Sequence, residues 1–247
     1  MSNLTIFCLT FNEHDMLPFM VEHYRARFPE CRFVIWDNES TDDTREIAER
    51  AGAEVHIVRT SNIVDDSQLR DHKNGCWKQG GVEWACVVDC DELVDIDAQQ
   101  LAHEEQAGTT VIRCVGYDMV SSADDQEIIA ITRGVREPLY DKMVMFDTRA
   151  ITDINYWYGA HGADPRGAVR LSNRAYPLFH YKYLSVPSFL ARAHLTNIRM
   201  SETNKRNGWG YHNGLPDEEL IARFQTKRQQ SVTVRDLPPT GRAVVCE

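Results

Sequence analysis

Residues 84–91 read Trp84-Ala85-Cys86-Val87-Val88-Asp89-Cys90-Asp91. The unbroken apolar run 84–88 suits a strand buried on both faces, and Asp89 ends it in charge. Two carboxylates about 5 Å apart repel by roughly 3 kcal/mol at an effective dielectric near 20. A divalent cation removes that cost, and hard oxygen ligands suit Mg²⁺ or Mn²⁺. Asp95-Ile96-Asp97 repeats the spacing but follows no comparable run. It reads as a helix cap or loop feature.

Upstream, short apolar runs alternate with segments of helical period. Residues 4–9 read as a buried strand, and Met16, Leu17, Met20, Val21, Tyr24 and Phe28 recur at helical spacing, with Pro18 tolerable in a first turn. A second strand over 32–36 ends at Asp37. Ser40 followed by Asp43 suits a helix start, and Gly52 stops that helix. A third strand spans 54–58, and a polar helix over 68–79 leads into the strand that carries Asp89. Such alternation predicts an α/β domain with a mostly parallel sheet covered on both faces. Ligands bind such sheets beyond the carboxyl ends of the strands. Thr10, Asn12, Asp37, Asn38 and residues 89–92 lie there.

After residue 108 the pattern changes. Residues 111–115, 128–132 and 142–146 read as short strands without obvious helices between them, and 178–183 as another. Helices return at 187–199 and 217–229, and the Gly- and Asn-rich stretch 204–214 between them reads as a mobile loop. We expect one domain over 1–247. Residues 1–108 form its nucleotide-binding half, and 109–247 its mixed-sheet acceptor half with the C-terminal helices.

With 247 residues and 43% hydrophobic content, one good-sized core is expected. The formal net charge of −10 gives the chain no electrostatic reason to seek nucleic acid. No apolar run approaches the roughly 20 residues of a membrane span, and residues 1–10 carry no signal-peptide pattern. Seven cysteines at irregular spacings, with no Cys-x-x-Cys, predict reduced thiols and a cytoplasmic protein.

Four motifs in order over residues 4–92 resemble the family 2 glycosyltransferases, which have the GT-A fold. They are Thr10-Phe11-Asn12-Glu13; the segment 34–44, with Asp37 before Ser40-Thr41-Asp42-Asp43-Thr44; His72-Lys73-Asn74-Gly75; and Asp89-Cys90-Asp91. The resemblance implies a nucleotide-sugar donor, UDP-linked first, with Asp37 accepting a hydrogen bond from the base. Thr10 and Asn12 would line base and ribose, and Lys73 would face base or diphosphate. Asp89 would lie near ribose and metal, Cys90 between the two acids, and Asp91 on the Mn²⁺ or Mg²⁺. The second half is similar to family 92-like relatives at Tyr140-Asp141-Lys142, Gly159-Ala160-His161-Gly162 and the segment 178–183. Enzymes of this fold often add a histidine from the C-terminal half, which makes His180 the first candidate ligand and His212 the second.

The family resemblance implies inversion, which needs a base opposite the leaving group. The usual acidic pair is not plain here. Asp164 is preferred, with His161 and Asp141 behind it. The acceptor class expected is a glycan, a lipid-linked glycan or a glycoprotein. A nucleotidyltransferase acting on sugar phosphates would want a Gly-rich basic loop, which Thr10-Phe11-Asn12-Glu13 is not. A degenerate sugar-binding module would not need Asp89, Asp91 and Lys73 intact.

Overall fold

The computed structural model describes residues 3–236. Strand β1 (Leu4–Thr10) leads into helix α1 (Met16–Arg27), whose Met16, Leu17, Met20 and Tyr24 are buried against the sheet. β2 (Arg32–Asp37), α2 (Thr44–Arg50), β3 (Glu54–Ile57), α3 (Asp66–Gly75) and β4 (Trp84–Asp89) follow. The four strands are parallel in the order β3-β2-β1-β4. In register Thr10 faces Asp37 and Leu9 faces Asp89. The sheet thus delivers the sequence-marked residues to one edge.

Past Asp89 the chain turns through Cys90 and Asp91 into β5 (Glu92–Val94), and α4 (Ala98–Gln106) opens on a capping box between Asp97 and Gln100. The second acidic pair is therefore structural, with Asp95 on Arg27. Next come β6 (Val111–Val120), β7 (Arg133–Arg136), β8 (Met145–Asp147), β9 (Ile151–Asp153), β10 (Arg166–Gly167) and β11 (Leu171–Tyr183). β8 lies antiparallel between β4 and β6, while β11 runs parallel to β6 and antiparallel to β5. α5 (Val186–Arg199), α6 (Glu202–Asn207), α7 (Asp217–Gln230) and β12 (Val232–Thr233) complete the described chain. Among the described residues no helix is long and apolar enough to cross a membrane.

Several expectations are corrected. Residues 128–132 are not a strand: Ile128–Ala130 is a 3-10 turn, and the strand comes later as β7. Ile128 and Ile131 pack on the main core and so fasten a loop rather than extend the sheet. Residues 204–214 hold α6 and a 3-10 turn, Tyr211–Gly214, with Gly208 and Gly210 in the left-handed region between them. Ser201 caps α6, a signal the Gly count masked. α3 begins at the Asp65 cap and ends at Gly75, short of residue 79. Ser40 does not cap α2. Its N–H donates to Asp37, and its hydroxyl accepts from the Asn12 N–H.

Candidate functional site

A cleft of about 620 Å³ opens at the carboxyl ends of β1 and β4, with β11 and α5 forming its other wall. Register builds its centre. β11 pairs with β5 and β6 so that His180 stands beside both Glu92 and Asp118. The Tyr181 N–H also donates to the Asp91 carbonyl, fixing the turn after β4. His180 Nδ1 is 2.8 Å from Asp118 Oδ1, and Nε2 is 3.5 Å from Asp91 Oδ2. Tyr140 stacks on the imidazole at 3.9 Å between centroids. Gly116 permits that approach, because a Cβ there would meet the Tyr140 Cβ at 2.3 Å.

Four cations surround the acids. Lys73 is buried and lies 2.7 and 2.8 Å from the two Asp89 oxygens. Arg192 on α5 places Nη1 3.0 Å from Asp91 Oδ2 and Nη2 on Glu13. Lys142 is buried against Glu92, and its ammonium also donates to the Gly159 carbonyl. Lys182 lines the cleft and has no ion pair with any described residue.

Electrostatics follow from this packing. Burial opposes charge on Asp91, yet Arg192 and His180 hold its carboxyl well below the ordinary range. Asp89 is likewise held low against burial, by Lys73 and then Lys142. Burial works against a charged His180, but Asp91 and Asp118 raise it above the usual imidazole value. Burial, with Asp91 and Asp89 nearby, pushes Glu13 up to about 7 despite Arg192.

The predicted residues divide accordingly. Thr10, Asn12, Asp89, Cys90, Asp91, His161, His180 and His212 all line the cleft. The Thr10 hydroxyl is buried without a hydrogen-bond partner. Asn12 has its side chain tied to Thr41, and Cys90 is buried in the main core. Asp37 is fully buried, accepts the Ser40 N–H and faces Arg45, so it braces the loop after β2 instead of lining the cleft. Lys73 stands beneath Asp89 rather than in the opening. Asp164 is exposed and paired with Arg166, and Asp141 accepts from the Gly116 N–H and Arg136; neither lines the cleft. His161 is the one base candidate that does. Its Nδ1 bonds the Leu139 carbonyl, and burial plus Lys142 lower it to about 4.

Sequence reasoning missed Glu13, Asp118, Lys182 and Arg192 as site residues. Glu13 and Lys182 stood inside quoted motifs, whereas nothing local to Asp118 or Arg192 marks them. On the base side, Arg199 bonds Asn38 Oδ1 at 2.8 Å and covers the Phe11 ring.

The donor set suits a divalent cation in part. Asp91 and His180 present oxygen and nitrogen 3.5 Å apart, and Asp118 holds the far ring nitrogen as carboxylates commonly do behind metal-bound histidines. Asp89 has both oxygens on Lys73. Among the described residues no three His, Cys, Asp or Glu side chains converge as a ready metal cage, and no contact joins His212 to Asp91. Mg²⁺ is nonetheless ordinarily held by one or two carboxylates plus substrate phosphates, and Asp91 supplies one such carboxylate.

Residues 5–127 match the model of glycosyl transferase family 2. Protein RfbJ of Shigella flexneri is 32% identical over 56 residues, which is 23% of this chain and 43% of that protein, so the match spans less than half of that relative. The solved structure of S. aureus TarS 1–349 in complex with UDP aligns over 91% of this chain and 71% of its own, at 15% identity and a TM-score of 0.48. The longer S. aureus TarS structure aligns over 92% and 43%, at 14% identity and a TM-score of 0.44. The segments likened to family 92 relatives lie beyond the matched residues. The matched segment holds the parallel strands, the loop after β1 and the Asp89–Asp91 turn, and by it the chain belongs among the family 2-like glycosyltransferases of the GT-A fold.

Proposed function

We propose that the protein transfers a sugar from a nucleoside diphosphate-sugar to a glycan hydroxyl, with inversion and with a divalent cation at Asp91. The observation that carries this reading is Asp91 at the turn after β4, facing a His180 that Asp118 orients. The base and ribose would occupy the side lined by Thr10, Phe11, Asn12 and Asn38. UDP is the nucleotide to test first, on the family resemblance. Asp91 and His180 would hold Mn²⁺ or Mg²⁺, which supplies neutralisation of the leaving diphosphate. Lys182, which has no ion pair with any described residue and whose pKa burial lowers, adds a positive charge to the same wall, where leaving-group charge would develop. Lys73 keeps Asp89 ionised and fixed from below.

His161 is the acceptor-side group we assign to the hydroxyl proton. Its Nδ1–H donates to the Leu139 carbonyl, which leaves Nε2 unprotonated and able to accept. Trp157 and Tyr158 are exposed beside it, and the Tyr158 ring makes a tilted contact with Trp209 at 3.9 Å and lies under the Arg70 guanidinium. The largely exposed Trp157 ring would suit the apolar face of a pyranose, which supports a glycan acceptor over a small alcohol. The test is release of UDP from UDP-sugars with Mn²⁺ present. Asp91→Ala should lower turnover by at least about 100-fold, the scale of a lost electrostatic stabiliser. Full activity in that variant, with an unchanged melting curve, would remove Asp91 from the mechanism.

A further inference from the structure

Arg192 makes two contacts, one of which a divalent cation at Asp91 must disturb. Its Nη1 is 3.0 Å from Asp91 Oδ2, the oxygen that also faces His180 Nε2, and its Nη2 grips Glu13 in the loop after β1. The guanidinium therefore ties α5 across the cleft to both carboxylates. Surroundings hold it there: Phe189 and Ala193, on the same helix, are buried with Tyr183 and Phe224. Arg192 stays charged at any working pH, since burial opposes its charge but Glu13 and Asp91 more than offset that.

We propose that Arg192 is a resident counter-cation that guards the Asp91 site, so that metal and nucleoside diphosphate bind together and metal alone binds poorly. This rests on the proposed metal role of Asp91. A metal arriving alone would have to share Asp91 Oδ2 with a guanidinium, placing two cations side by side. A diphosphate changes the balance. It brings oxygens that match the planar guanidinium fork, so Arg192 exchanges Asp91 for phosphate and releases the carboxylate to the metal. Glu13 remains as the anchor on its other nitrogen. The residue then acts twice, as a gate on empty-site metal binding and as a ligand to the donor. By linkage, the factor by which UDP strengthens metal binding equals the factor by which metal strengthens UDP binding.

The experiment measures Mn²⁺ affinity by electron paramagnetic resonance of the free ion, with and without UDP, for the wild type and Arg192→Met. Methionine keeps the length and packing of the stem and removes the charge. In the wild type, UDP should strengthen Mn²⁺ binding about tenfold or more, within the usual range of coupling between sites. In Arg192→Met, Mn²⁺ alone should bind about tenfold more tightly than in the wild type, while UDP binding at saturating Mn²⁺ weakens, so the coupling collapses. Unchanged or weaker Mn²⁺ binding in the nucleotide-free variant overturns the gate. If the wild type binds no Mn²⁺ with or without UDP, the metal reading itself fails and the gate with it. Should Arg192→Met not fold, as judged by circular dichroism, Arg192→Gln takes its place. The same rise in nucleotide-free affinity is then required.

Discussion

At the scale of single residues, the buried charges decide how much freedom the cleft has. Lys142 and Glu92 are almost wholly removed from water and satisfy each other, and Lys142 also helps hold Asp89 and Asp91 ionised. Removing one partner of such a pair leaves an uncompensated charge in low dielectric. Lys142→Met should therefore cost about 3–5 kcal/mol in urea unfolding, and adding Glu92→Gln should recover part of it. A loss below about 1 kcal/mol for the single variant would mean that water reaches Glu92. Residue roles were legible only where local sequence carried them. Asp89 and Asp91 announce themselves by ending an apolar strand. Asp118 and Arg192 do not, because one depends on strand register and the other on how a helix docks 100 residues later. Asp37 looked like a cleft residue from its place at a strand end. Its carboxylate is drawn instead to the Ser40 N–H in the following turn.

Among elements, α1 shows how docking sets pH dependence. His23 is buried where α1 meets β5, and its Nε2–H donates to the Val94 carbonyl at 2.9 Å. Burial first, then Arg27, lower its pKa to about 3. The unfolded chain takes up a proton near the ordinary value of about 6.5. Between those values the unfolded state binds more protons, so this stabilisation is complete above about pH 6.5 and is lost as pH falls toward 3. His23→Gln keeps a donor for Val94 and removes the titration. The slope of unfolding free energy across that window should drop by about 1.4 kcal/mol per pH unit. Identical slopes for both proteins would show that His23 titrates normally. The parallel half of the sheet was readable because each strand and helix there has its own period and stop signal. The second half was not, since β6 and β11 run longer than their apolar cores and pair through polar residues such as Asp118 and His180.

For the molecule as a whole, the architecture sets a rigid parallel half against a wall made by β11 and α5. The chemistry lies in the contacts between them. Glu13, Asp89 and Asp91 come from the first half, and His180, Lys182 and Arg192 from the second. A nucleotide bound in the cleft would touch both, so its binding should stabilise the entire fold. A ligand present at 100 times its dissociation constant adds about 2.7 kcal/mol. The most direct measurement is a thermal-shift panel of UDP, GDP, dTDP and CDP, each with and without Mn²⁺, on the wild type and Asp91→Asn. The account predicts a Mn²⁺-dependent rise in melting temperature with one nucleotide, UDP first, and loss of that Mn²⁺ dependence in Asp91→Asn. No shift with any nucleotide, or a shift whose Mn²⁺ dependence survives in Asp91→Asn, would contradict it.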